Sequence, residues 1–285
     1  MKHGFVRKIL KCKKDESITN NLRRKKVTIE KQLYKKPISR EALKGALMEM
    51  GLGRGDSVIV HCAWREFYNY TSTPNSAIDI IIDIIGKDAN LAMPCYGADE
   101  KIFDLKTTPS AAGVLSEVFR KEYEVIRSNC SHFSMVVMGP DAKELTCSQI
   151  SSRSGFDDLA TYSKMLSIPG CKVLFLGLGK YPLQITQMHV EEYRRMDEYI
   201  WCKNLFTEKY ESVLLNTPTD GQQLKRIMIK RKGGRPNKKN RCRIYKQLQN
   251  YKHIKLSNID MVLVNADDTK NSIDKCIDEK RMFSK

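Results

Sequence analysis

CKVLFLGLGKYPLQITQMHVEEYRR, residues 171–195, decides how this chain is read. The uninterrupted apolar run Val173 to Leu178 is too short for an ordinary helix and ends among glycines, so it reads as a strand buried on both faces. After the loop Gly179-Lys180-Tyr181-Pro182, the segment Leu183 to Arg195 has no breaker and reads as a helix. On such a helix His189 and Glu192 share one face. An imidazole near its ordinary pKa can take a proton at neutral pH, and a carboxylate one turn away can fix its tautomer and stabilise its charged form. A His–Glu pair at this spacing is often only a solvated surface pair. Its place beyond the carboxyl end of a buried strand, where sites of α/β folds gather, favours the catalytic alternative. Neither H-E-x-x-H nor a CxxC pair occurs, so no metal site is expected.

Outward from this stretch, strands and helices alternate. Ser39 begins a helix that stops at Gly51, and Ser57 to Cys62 reads as a strand. A helix from Ala77 to Ile85 precedes a second buried strand, Asn90 to Pro94. A helix from about Ala111 to Tyr123 is followed by short strands at Val125–Ser128 and Phe133–Met138 around a polar turn. Late segments, Lys225–Lys230 and Asp260–Val264, read as strands, and Asp267–Glu279 as a closing helix. The pattern predicts an α/β fold, a three-layer α/β/α sandwich with a mainly parallel sheet. Residues 38–285 are expected to form the main domain, with a smaller C-terminal β-containing subdomain at about 203–285. Residues 1–37, basic and without periodicity, read as a partly disordered or loosely packed extension.

The chain has 285 residues, 41% hydrophobic and 29% charged, enough to bury a full core. Its longest apolar candidate, Ala77 to Ile85, carries Asp79 and Asp83, so no transmembrane helix is expected, and the N-terminus lacks the apolar centre of a secretory signal. Nine cysteines without paired spacing fit reduced thiols and a cytoplasmic protein. The formal net charge is +17, but it is uneven. Residues 1–37 hold 13 Lys and Arg against 3 acidic groups, residues 225–255 hold 13 against none, and the remainder is mildly acidic. That distribution argues against a nucleic-acid footprint across the whole domain and leaves a phosphate-rich small ligand or an anionic surface open.

Four segments in chain order resemble the aminoglycoside 3-N-acetyltransferase family over about residue 38 to the C-terminus. They are Val60-His61-Cys62-Ala63-Trp64 against the family's V-H-S-S; Phe103-Asp104 with Thr107-Thr108-Pro109-Ser110 and Gly113 against F-D-x-x-x-T-P-S-x-x-G; Arg127-Ser128 through Ser134 to Gly139-Pro140; and Leu174-Phe175-Leu176-Gly177 followed by His189-Val190-Glu191-Glu192 against L-L-L-G and H-x-x-E. The chain departs from the family at Cys62 and Ala63, where hydroxyls are lost, and in the polar turn, where His132 stands one residue away from the family's histidine.

The resemblance implies transfer of an acetyl group from acetyl-CoA to an amine. It implies His189 as general base and Glu192 as its orienter, with His132 the next candidate. His61, Cys62, Thr108, Ser110, Gly113, Arg127 and Ser128 are then donor-site candidates, since a helix N-terminus offers N–H groups to the phosphates of coenzyme A. For Thr108 and Ser110 helix capping is the competing role. Glu191, on another face, reads as solvated. The acceptor implied is an amine-bearing sugar, an aminoglycoside or, from the departures, an amino sugar of surface polysaccharides. A rival of another class is a catalytically weakened binding protein that uses its basic segments for nucleic acid or anionic membrane. A third idea is ping-pong catalysis through Cys130, beside His132 in the polar turn.

Overall fold

β1 (Val58–Cys62), β2 (Leu91–Pro94) and β6 (Lys172–Leu176) lie side by side, β1 parallel to both neighbours. Val173 to Leu176 are at most 1% exposed, so the continuous apolar run is buried on both faces, as its pattern requires. The computed structural model describes residues 17–34, 36–99, 101–217 and 223–284. Alternate side chains of β6 enter two separate cores. Leu174 and Leu176 join Leu47, Ile78, Ile81, Leu115 and Phe119 from the helices Arg40–Glu49, Pro74–Ile85 and Val114–Glu122. Val173 and Phe175 join Tyr162, Met188, Ile244 and Ile273 from the helices Thr161–Leu166, Gln187–Arg194, Lys238–Gln247 and Ala266–Asp278.

The α/β reading holds, but the sheet is mixed rather than mainly parallel. Outside the β2-β1-β6 centre every pairing is antiparallel: β5 (Met135–Met138) with β2, β4 (Ile126–Arg127) with β5, β10 (Ile259–Asn265) with β6, and β9 (Lys252–Leu256) with β10. The order is β4-β5-β2-β1-β6-β10-β9. The reason is connection length. β9 and β10 are joined by a tight turn with Ser257 at φ 53, and such turns can only reverse direction, whereas a parallel return needs a crossover.

Residues 203–285, expected to form a smaller C-terminal subdomain, supply strands to two sheets. β7 (Glu208–Leu215) and β8 (Leu224–Lys230) pair with each other and, through β7, with β3 (Ile102–Asp104) in a second, three-stranded sheet. β9, β10 and Ala266–Asp278 return to the main sheet, because Met261 to Val264 are apolar on both faces and need two covers. In the basic N-terminal stretch the described part is a helix, Ile18–Leu33, followed by Tyr34, whose carbonyl accepts from Asn69 (2.6 Å) and whose hydroxyl accepts from Lys255 (2.8 Å). Of the expected loose extension, residues 1–16 and 35 lie outside the described residues.

Helix starts follow side-chain chemistry. Ser39 Oγ accepts from Ala42 N, and Thr73 Oγ1 accepts from Ser76 N with Pro74 in the first turn. The helix expected from Leu183 starts only at Gln187. Ahead of it the carbonyls of Pro182 and Leu183 accept from Tyr245 and Arg241, which holds that stretch as a loop. Gly177, φ 71, turns the chain out of β6, and a Cβ there would stand 2.9 Å from Glu66 Cβ. No described helix is long and apolar enough to cross a membrane.

Leu174 is fully buried at the centre of the sheet. Leu174→Ala is expected to cost about 2–5 kcal/mol, read as a lower urea midpoint at unchanged slope. A loss below about 1 kcal/mol would place β6 outside the cooperative core.

Candidate active site

The loop after β6 and the helix Gln187–Arg194 stand at the carboxyl ends of β1 and β6 and wall a groove in two parts. The outer part, about 510 Å³, is lined by Tyr96, His132, Phe156, Gln184, His189 and Arg241, among others. The inner part, about 140 Å³, is lined by His61, Cys62, Ala112, Leu115 and Ser116. Tyr96, Phe133, Gln184 and Thr186 belong to both walls, so the parts adjoin.

His189 Nδ1 lies 3.2 Å from Glu192 Oε2 on one face of the helix. With Nδ1–H donating to the carboxylate, Nε2 carries the free lone pair; it has no hydrogen-bond partner among the described residues, in a side chain that lines the outer groove and is 21% exposed. Glu192 itself is fully buried. Arg231 meets its carboxylate in a two-pronged pair, Nε to Oε2 at 2.7 Å and Nη2 to Oε1 at 3.1 Å. Burial opposes ionisation of Glu192, but the hydrogen bonds from His189 and Arg231 outweigh it and hold the carboxyl below its usual range. Burial lowers the His189 pKa, Glu192 raises it, and the guanidinium groups of Arg231 and Arg241 lower it; the balance is a lowered value and a neutral ring.

His132 lines the same groove, with Phe156 packed between the two histidines, its ring 5.4 Å from His132 and 5.2 Å from His189. Arg241, 7% exposed, donates to the carbonyls of Phe283 and Leu183 and borders the outer groove. Arg231, on Glu192, and Arg241, in the groove wall, are residues at this site that sequence reasoning passed over. In sequence they are two among 13 basic residues, and only the fold brings them to His189.

The predicted donor residues divide. His61 and Cys62, at the end of β1, line the inner groove. His61 Nε2 lies 3.1 Å from the Tyr162 hydroxyl, its ring stacks on Phe175, and burial pushes its pKa down to about 4. Burial also pushes the Cys62 thiol well up, which disfavours the thiolate there. Ser110 and Gly113 shape the turn beside the groove. Ser110 Oγ sits 3.0 Å from Ser116 Oγ, and Gly113, φ 131, precedes the helix Val114–Glu122.

Thr108, Arg127 and Ser128 are not among the residues lining the groove. Thr108 Oγ1 accepts from Asp104 N and closes its own turn. Arg127 is 8% exposed, donates to the carbonyls of Cys95, Leu105 and Thr108, and covers the Phe103 ring at 4.5 Å; its donors hold three segments together. Ser128 Oγ accepts from Met135 N across the polar turn.

Glu191 is 1% exposed rather than solvated. It pairs with Arg194 at 3.3 Å on the side facing Lys270 and Asp274, and burial raises its carboxyl pKa. Cys130 is fully buried, is not among the groove-lining residues, and has its thiol pKa raised by burial, which disfavours the thiolate that ping-pong catalysis needs. Among the described residues no three His, Cys, Asp or Glu side chains group closely enough to hold a metal ion.

The family described as aminoglycoside 3-N-acetyltransferase matches residues 59–273. Aminoglycoside N(3)-acetyltransferase VIII of Streptomyces fradiae is 27% identical over 141 residues, 41% of this chain and 49% of that protein. The matched stretch thus spans about half the length of that relative. Among solved structures, a mutant of aminoglycoside acetyltransferase AAC(3)-IVa in complex with gentamicin superposes with a TM-score of 0.72 at 18% identity, covering 87% of this chain and 91% of that one. The binary complex of AAC-IIIb with CoASH superposes with a TM-score of 0.68 at 19% identity, covering 85% and 97%. With a match across most of its length, the chain belongs to the aminoglycoside 3-N-acetyltransferase family.

Proposed function

We propose that this chain is a cytoplasmic acetyl-CoA-dependent N-acetyltransferase acting on the amine of an amino sugar, with His189 as general base and Glu192 holding it. The observation that carries the reading is the buried Glu192 carboxylate on His189 Nδ1, which leaves Nε2 bare beside the groove. The inner groove by His61, Cys62 and Ser116 takes the thioester end of the donor, and the outer groove takes the acceptor. The eight described cysteines are all free, in keeping with a reducing compartment. The departures at Cys62, Ala63 and the turn around His132 favour an amino sugar of the surface-polysaccharide type over a drug.

An ammonium has no lone pair, so the acceptor attacks only once deprotonated. The ammonium proton passes to solvent first; His189 Nε2 then accepts one of the two protons left on the amine as its nitrogen bonds to the thioester carbon. The C–S bond then breaks, and the imidazolium returns the proton to the departing thiolate, giving the amide and coenzyme A. Glu192 stabilises the imidazolium through Nδ1–H, as the carboxylate of a catalytic triad does. Arg231 keeps Glu192 ionised and in place, and its charge holds His189 neutral before the reaction begins.

His189→Ala is expected to lower kcat by roughly 10²–10⁴-fold, while the rise in melting temperature given by acetyl-CoA persists. Wild-type turnover by this variant with a verified acceptor would move the base elsewhere, His132 first. Glu192→Gln should cost less than His189→Ala, because a carboxamide still accepts from the ring but carries no charge.

For pH, the sign follows from the lowered His189 pKa. The base is competent above that pKa and lost as pH falls through it, so the His189 contribution to the acid limb of kcat/KM lies below the ordinary histidine value of about 6.5. Arg231→Gln removes the cation that keeps the buried Glu192 ionised, so kcat should fall at least as far as in Glu192→Gln with the same acceptor. An unchanged kcat would remove Arg231 from control of the base.

A further inference from the structure

The basic segment of residues 231–241 reaches the site at both ends. At one end Arg231 is paired to Glu192; at the other Arg241 borders the outer groove. Around His189 two buried guanidinium groups face one buried carboxylate, an excess of one positive charge where field is least screened. Between the two ends Lys232, Arg235, Lys238 and Lys239 are exposed, and among the described residues none of the four is paired with an acidic side chain. The helix Lys238–Gln247 begins in the same segment, and its N-terminal end adds to the positive potential.

A polycationic aminoglycoside entering the outer groove would meet this charge with like charge. Resting on the function proposed above, we infer that the acceptor is a phosphate-bearing amino sugar, its anion held by the 231–241 segment while its amine faces His189. Coenzyme A is the other source of phosphate. Its thioester end is uncharged and, on that function, belongs at the inner groove by His61 and Leu115, whose lining does not include Arg241. Its phosphates lie at the far end of the pantetheine arm, so the cations near the base are left to the acceptor.

The test is steady-state acetylation by the full chain of glucosamine, glucosamine 1-phosphate and gentamicin, at low and high salt. Unit charges about 8 Å apart at an effective dielectric of about 20 predict at least a roughly tenfold advantage in kcat/KM for the phosphate over glucosamine, carried by KM. The advantage should shrink toward one near 1 M salt, where the screening length is about 3 Å. Replacing the four exposed cations together (Lys232→Gln, Arg235→Gln, Lys238→Gln, Lys239→Gln) leaves the core untouched and should reduce the preference for the phosphate, with the KM for acetyl-CoA unchanged. Equal rates for the two sugars, or gentamicin as the better acceptor, overturn the inference while leaving an N-acetyltransferase. An effect of the fourfold variant on the KM for acetyl-CoA overturns it in favour of coenzyme A as the phosphate source. Absence of any acetylation, together with no melting-temperature rise on acetyl-CoA, removes the proposed function and this inference with it.

Discussion

A carboxylate withdrawn from water keeps its charge only if cations and donors replace the lost hydration, and Glu192 is fully buried. Its two oxygens are satisfied by Arg231 and by His189, and that condition ties distant parts of the chain together. Glu192 belongs to a helix packed on the main sheet, whereas Arg231 follows directly on β8 of the second sheet. Arg231 also donates to Ser284 Oγ near the C-terminus, where Arg241 reaches the Phe283 carbonyl. One buried ion pair thus ties the second sheet and the end of the chain to the helix that carries His189, and its charges bear on the His189 ring.

Two cores make that placement possible. Alternate residues of β6 feed both, so the strand cannot slip by one residue without exchanging its two faces. Its carboxyl end is therefore fixed, and with it the Gly177 turn and the loop that leads to His189. The inner groove lies at the same end of β1, five paired positions along β6. The inner groove and the loop that leads to His189 are thus placed at one end of the sheet by strand register.

What could be read from sequence follows from how local each determinant is. β1, β2 and β6 announce themselves as continuous apolar runs, and His189 with Glu192 as a pair one turn apart; both are short-range patterns. The antiparallel flanks were hidden, because β4, β5, β9 and β10 look the same in sequence whichever way they run, and only turn length decides. Arg231 was hidden because a pairing across 39 positions leaves no local trace. For Arg127 the sequence leaves two partners open: a guanidinium fits a phosphate, and its fan of donors equally fits the three carbonyls of its own chain that it meets here. Glu191 looked solvated until the helix Ala266–Asp278 was seen to cover it.

The central claim is that Glu192 and Arg231 together present His189 as a neutral ring with Nδ1 protonated and Nε2 free. Nitrogen-15 NMR of the histidine rings across a pH titration, with His189 assigned by its absence from His189→Ala, reads tautomer and pKa in one experiment. The account predicts Nδ1–H at pH 7 and a pKa below about 6.5. A proton on Nε2 at neutral pH, or a pKa at or above the ordinary histidine value, would contradict it.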